Sequence, residues 1–147
     1  MSPGSEPLRA LFVNSQTEAG GAEISLLTAL KHIDRRRVDP AVVTLGFGSG
    51  DYPEQLRGEG IEVHEISAGS VRNPLAWALT VRRLARLRSE GRFKAVISNG
   101  YHSQFYGGPA ARLGRAPLAL FCRDFPERSG RFPLVARQAF FWGADVY

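Results

Sequence analysis

Short apolar runs alternate along the chain with longer segments whose apolar positions recur every three or four residues. Residues 8–13 ("LRALFV") have the length and composition of a buried strand. Residues 22–33 follow as a helix, with Ile24, Leu27 and Ile33 on one spacing and Leu26 and Leu30 on a second. "DPAVVTL" (39–45) predicts the next strand, "GFGSGDYP" a glycine-rich loop, and residues 54–57 a short helix. After Gly60, "IEVHEI" reads as a strand of imperfect period two. Asn73-Pro74 opens the clearest helix, with proline in the first turn where its missing N–H costs nothing. Trp77, Val81, Leu84 and Leu87 form its apolar stripe, Arg82, Arg83, Arg86 and Arg88 lie largely off that stripe, and Gly91 ends the helix. "FKAVISN" (93–99) is a further strand, 102–113 a helix closed by Gly114, and "APLALFC" (116–122) another strand. A charged loop leads to a last helix at 134–142, and "ADVY" has the look of a strand just beginning.

Strands separated by helices imply right-handed crossovers and a parallel sheet covered on both faces, so the predicted fold is α/β, a Rossmann-like doubly wound parallel sheet in a single domain. Ligands of such sheets sit beyond the carboxyl ends of the strands. That directs attention to the loops at 14–21, 46–52, 67–73, 99–103 and 123–132. The 147 residues, 44% hydrophobic, suffice for one core, with a polar, disordered N-terminus expected over 1–7 and the domain over 8–147. A chain that stops as a strand begins is expected to be a fragment.

Charge and cysteine usage narrow the chemistry. The formal charge of +5 comes from 17 Arg and 2 Lys against 14 acidic residues, but the basic residues are scattered over several helices without a reader motif, so nucleic-acid binding is not expected. The single cysteine, Cys122, excludes an internal disulfide framework and a Cys-rich zinc site, and suits a small buried side chain in a reducing compartment. No apolar run approaches the roughly 20 residues that span a bilayer, and no signal-peptide pattern opens the chain, so a cytoplasmic location is expected. The helix at 74–88 is both amphipathic and basic. Its arginines either face water or rest on anionic lipid headgroups as a peripheral membrane contact.

Gly20-Gly21 lies where the first loop meets the first helix. Glycine permits close backbone approach, and the exposed N–H groups of a helix start attract anions, so the pair is either a tight turn or a diphosphate-approaching loop. It is neither a G-x-G-x-x-G fingerprint nor a P-loop. "GGAE" before an apolar-striped helix resembles the N-terminal domain of family 4 glycosyltransferases, which have the two-domain GT-B architecture. The segment "AVISNGYHSQFYGGPAARLGRAPLALFCRDF" is similar to that family's strand, short polar loop, small-residue helix, glycine, proline and next strand, and the resemblance extends from Leu8 to Val146.

The resemblance implies an acceptor-binding half of a retaining enzyme that transfers a sugar from a nucleotide-sugar donor to a hydroxyl of a glycan, lipid or small molecule. It implies no metal or other cofactor, and it places the nucleotide grip in a second, C-terminal domain, so that this chain alone would be inactive. Gly20 and Gly21 would approach the donor diphosphate. Glu23 is either a ligand contact or a carboxylate favoured by the helix dipole. Where many relatives carry a histidine that contacts the sugar, this chain has Cys122-Arg123-Asp124. Arg123 and Asp124 are the catalytic candidates, with a solvated loop pair as the alternative. Asn99, Tyr101 and His102, on the rim after the fourth strand, are acceptor-site candidates, although a lone histidine at a helix start is more often surface decoration. A different class stays open beside this one, a non-catalytic Rossmann-like module that binds a small ligand or a protein through the same rim.

Overall fold

The computed structural model describes residues 4–121, and over these the chain runs β1 (Leu8–Gln16), α1 (Gly21–His32), β2 (Val38–Phe47), α2 (Tyr52–Gly58), β3 (Glu62–Glu65), α3 (Pro74–Glu90), β4 (Ala95–Asn99), α4 (Tyr101–Leu113) and β5 (Leu118–Phe121). Cys122, Arg123, Asp124, the expected helix at 134–142 and the terminal "ADVY" lie outside the described residues. The strands form one parallel sheet in the order β3-β2-β1-β4-β5. The expected doubly wound α/β fold is therefore the observed one.

The central strand, β1, shows why the sheet needs two covers. Leu11 and Val13 pack with Val81, Leu84, Tyr106 and Ala110 of α3 and α4, whereas Ala10 and Phe12 pack with Leu26, Leu30, Tyr52 and Leu56 of α1 and α2. Alternate side chains of one strand thus enter two separate cores. In α1 the pair Leu26 and Leu30 is buried, while Ile24 is 55% exposed. In α3 the predicted stripe is the inward one, with Val81 and Leu84 buried and Trp77 and Leu87 packed beside them. Asn73 caps this helix, its Oδ1 accepting the Ala76 N–H at 3.2 Å.

Two close contacts seat α4. Gly107 lies so near β4 that a Cβ there would stand 2.4 Å from Ser98 Oγ. Pro109 sits inside the helix and cannot donate to the carbonyl of Phe105 four residues earlier. The indole N–H of Trp77, reaching across from α3, donates to that carbonyl at 2.9 Å. One side chain therefore repairs the helix and joins it to its neighbour.

Candidate functional site

The strand order reverses direction between β1 and β4, and the connections from these strands leave to opposite sides, which opens a crevice at their carboxyl ends. Two helix starts meet there. Gly20 caps α1 and Gly100 caps α4, the latter at φ 85°, a left-handed conformation that favours glycine. Neither cap supplies a side-chain hydrogen bond to its helix.

The floor of the crevice is an asparagine pair. Register places Val13 beside Ser98, hence Asn14 beside Asn99, and the Asn99 amide donates to Asn14 Oδ1 at 2.8 Å and to the Ala22 carbonyl at 3.4 Å. The Asn14 amide in turn donates to the Gln16 carbonyl at 2.8 Å. Ser103 completes the lock, its Oγ donating to the Asn99 carbonyl at 2.9 Å and accepting from the Ser15 N–H at 3.0 Å. Asn99 is thus 4% exposed and engaged in joining β1, β4 and α1, with its Oδ1 left without a partner.

The glycine loop is braced from beneath. Glu23 is buried, and its Oε2 accepts the Gly20 N–H at 3.2 Å, half of a capping box whose return bond glycine cannot make. Tyr52 donates its hydroxyl to the Glu23 carbonyl at 3.0 Å, and burial pushes its phenol well above the usual range. Thr17 ties the loop to the segment after β2, with its N–H and hydroxyl both on the Phe47 carbonyl, at 2.7 and 3.1 Å. A Cβ at Gly21 would meet no atom within 4 Å, whereas one at Gly20 would stand 3.0 Å from Glu23 Oε2. The first helical bond of α1 is made by the Ile24 N–H to the Gly20 carbonyl at 2.9 Å. The N–H groups of Gly21, Ala22 and Glu23 precede it, as the free donors of a helix start do.

Tyr101 and His102 form the first turn of α4, half-buried on the opposite lip. The imidazole of His102 packs edge-on against Phe47 at 4.6 Å between ring centroids and lies 5.7 Å from Tyr106. Burial holds its pKa below the ordinary histidine value, and Nδ1 has no partner. The ring is accordingly neutral at physiological pH. Asn14, Tyr52, Ser103 and Phe47 are functional supports that sequence reasoning missed. For Asn14 a signal existed, because the apolar runs "LFVN" and "VISN" both close on asparagine.

Among the described residues no group of three His, Cys, Asp or Glu side chains converges as a metal site would. What remains is a Rossmann-like α/β domain whose crevice offers backbone donors to an anion on one lip and a neutral histidine on the other. Residues 20–146 match the model of the family described as Glycosyl transferase 4-like domain, and the chain belongs to that family.

No curated protein sequence matches the chain. Among solved structures, Anabaena Alr3699/HepE in complex with UDP and glucose aligns with a TM-score of 0.71 and 18% identity over 92% of this chain and 35% of that one. MurG from Acinetobacter baumannii aligns at 0.70 and 17% identity over 95% and 40%. A UDP-N-acetylglucosamine 2-epimerase aligns at 0.70 and 15% identity over 97% and 42%. These likenesses concern the fold. In each of the three structures the chain spans well under half of the protein's length.

Proposed function

We propose that this chain is the N-terminal, acceptor-side domain of a retaining glycosyltransferase that takes a sugar from a nucleotide-sugar donor to an acceptor hydroxyl. The observation that carries the reading is the bare start of α1, where Gly20 supplies no side-chain cap and a Cβ at Gly21 would meet nothing within 4 Å. A diphosphate fits this chemistry, because its charge meets the positive end of the helix dipole and its oxygens accept from backbone donors that no side chain obscures. Family membership supports glycosyl transfer, and similar folds hold UDP or UDP-glucose.

In this reading Gly20 and Gly21 approach the donor diphosphate and stabilise charge as it departs. Glu23 and Tyr52 act through the loop rather than on the ligand, because the Glu23 carboxylate is turned back to the Gly20 N–H. Tyr101 and the neutral imidazole of His102 face the acceptor, and Asn99 holds the two lips in register. Arg123 supplies a charge-assisted hydrogen bond to sugar or phosphate and Asp124 orients it. No metal enters the scheme. A second domain after Tyr147 closes on the nucleotide, and the chain without it does not turn over.

The test is nucleoside diphosphate release by the full-length protein against a panel of UDP-, GDP- and ADP-sugars, with the Gly21→Ala variant beside it. Turnover that falls in the variant is expected. Absence of both turnover and binding across the panel refutes the transferase reading and leaves a ligand-binding module of the same fold, and robust turnover by residues 1–147 alone refutes the need for a second domain.

A further inference from the structure

We infer that Phe47 is a positioning residue for the acceptor lip: its ring sets the His102 imidazole from a backbone anchored on the glycine loop, so one residue fixes how the two lips face each other. The inference deepens the transferase reading and rests on it for the acceptor that His102 meets. The segment "GFGSG" (46–50), of which Phe47 is the one large side chain, has no part in holding the diphosphate.

The backbone of this segment is set by its glycines. Between the register pairs Asn14–Thr44 and Gln16–Phe47, β1 advances by two residues and β2 by three, and Gly46, inside this slip, has φ 77°. An extra residue in one strand re-aims the side chains that follow it. Beyond Phe47, a Cβ at Gly50 would stand 2.5 Å from the Thr17 carbonyl oxygen, so glycine there lets the segment press against the loop after β1. Hydrogen bonds fasten the two together. The Phe47 carbonyl accepts from both the N–H and the hydroxyl of Thr17, and the Tyr52 N–H donates to the Thr17 carbonyl at 3.0 Å, three residues before Gly20.

The side chain of Phe47 turns the other way, to the opposite lip. Its ring meets the His102 imidazole edge-on at 4.6 Å and 73°, and lies 6.1 Å from the Tyr106 ring, which itself stands 5.7 Å from His102. The imidazole is therefore held between two aromatic walls. Tyr106 is the fixed wall, fully buried, with its hydroxyl donating to the Gly69 carbonyl at 2.7 Å. Phe47 is the half-buried wall at the rim. Because His102 Nδ1 has no hydrogen-bond partner, the orientation of the ring depends on this packing and not on a bond at that nitrogen. Removing the Phe47 ring frees the imidazole to turn, while the Phe47 carbonyl, being backbone, keeps its hold on Thr17.

The experiment compares Phe47→Leu and the ring-retaining Phe47→Tyr with the wild type, all as full-length protein, by two readouts. The first is the pH titration of the His102 imidazole by NMR, its resonances identified by their loss in His102→Gln. Phe47→Leu is expected to raise the His102 pKa toward the ordinary value of about 6.5, because the cover over the ring is thinner, and Phe47→Tyr to leave it at the wild-type position. The second is kinetics with whichever sugar donor of the panel turns over. In Phe47→Leu the acceptor KM is expected to rise about 2- to 10-fold with the donor KM unchanged, and Phe47→Tyr is expected to restore it. In the wild type, cross-relaxation between the Phe47 ring and the imidazole is expected whether or not the leucine variant folds. Absence of that contact, an unmoved His102 titration in Phe47→Leu, equal rises in donor and acceptor KM, or no recovery with tyrosine would each overturn the inference. Absence of turnover across the donor panel refutes the transferase reading, and the His102 titration then still decides whether Phe47 positions the imidazole.

Discussion

Gly21→Ala separates the needs of the fold from those of the proposed function. The residue is the first of α1, and a Cβ built on it touches nothing within 4 Å, so no steric cost arises in the folded chain. Alanine also lowers the conformational entropy of the unfolded chain and favours the helix, which stabilises by about 0.4 to 1 kcal/mol. If the open space is where a diphosphate comes in, the added methyl lengthens at least one charge-assisted hydrogen bond from the helix start. Such a bond contributes about 1.5 to 3 kcal/mol, or about 10- to 150-fold in kcat/KM. The expected result is a variant that melts slightly higher and turns over far more slowly. Gly20→Ala is the control for loop geometry. Its Cβ meets Glu23 Oε2 at 3.0 Å, so that variant is expected to lose stability as well as activity. Thermal unfolding and donor kinetics on the full-length protein decide the matter. A Gly21→Ala protein with unchanged kcat/KM would refute the diphosphate assignment, and one that melts lower would refute the account of the helix start.

Other consequences are measurable on stability alone. Glu23→Ala removes the acceptor of the Gly20 N–H and is expected to cost about 0.5 to 2 kcal/mol by denaturant titration, with Glu23→Gln recovering most of it. Trp77→Phe removes the indole donor to the Phe105 carbonyl, a cost of about 0.5 to 1.5 kcal/mol, and in a Pro109→Ala background a new helical N–H can donate there instead. A double-mutant cycle is thus expected to show about 1 kcal/mol of coupling, and an additive cycle would contradict the bridging role. Thr44 is fully buried with an unpartnered hydroxyl, so Thr44→Val is expected to stabilise by about 1 kcal/mol, read as a rise in Tm. His102 has its pKa lowered in the fold, so the unfolded chain takes up a proton first. Its contribution to stability is full above the ordinary histidine pKa of about 6.5 and is lost as pH falls through the lower folded value, a slope that His102→Gln should remove.

The alternation of runs and periodic segments carried the fold, because each strand and each helix stripe is a local statement. Where two faces of one helix were both apolar, the local statement did not suffice. In α1 the pair Leu26 and Leu30 packs with Phe12 and Val42, and Ile24 is left outside, a choice made by how the helix lies on the sheet and not by spacing. Leu75 and Leu79 of α3 escaped notice for the same reason, being off the inward stripe and exposed. At the site, the glycine pair was legible as a helix start. The partners that shape it were not, since Asn14 meets Asn99 across 85 positions of sequence and Tyr52 meets Glu23 across 29. The contact of the Glu23 carboxylate with the Gly20 N–H was likewise not legible, because it depends on how the loop enters the helix.

The distribution of unpaired polar atoms argues for the same end of the sheet by a separate route. Among the described residues, the buried side-chain atoms without a hydrogen-bond partner are Thr44 Oγ1, Ser98 Oγ, Asn99 Oδ1, His102 Nδ1 and Gln104 Oε1, together with Arg88 Nε. Apart from Arg88, all lie in the last residues of β2 and β4 or the first turn of α4. An interior that is otherwise well satisfied concentrates its open donors and acceptors where waters or a ligand complete them. The opposite end is treated differently. Arg9 there meets Asp39 at 2.9 Å, pairs with Glu62, reaches the Gly91 carbonyl at 2.6 Å and lies 4.4 Å from the Phe93 ring centroid. Its bonds are spent on holding β1, β2, β3 and the α3–β4 turn together. Among the described residues, the unpartnered side-chain atoms other than Arg88 Nε therefore gather at the carboxyl-end rim, the end of such a sheet at which ligands bind.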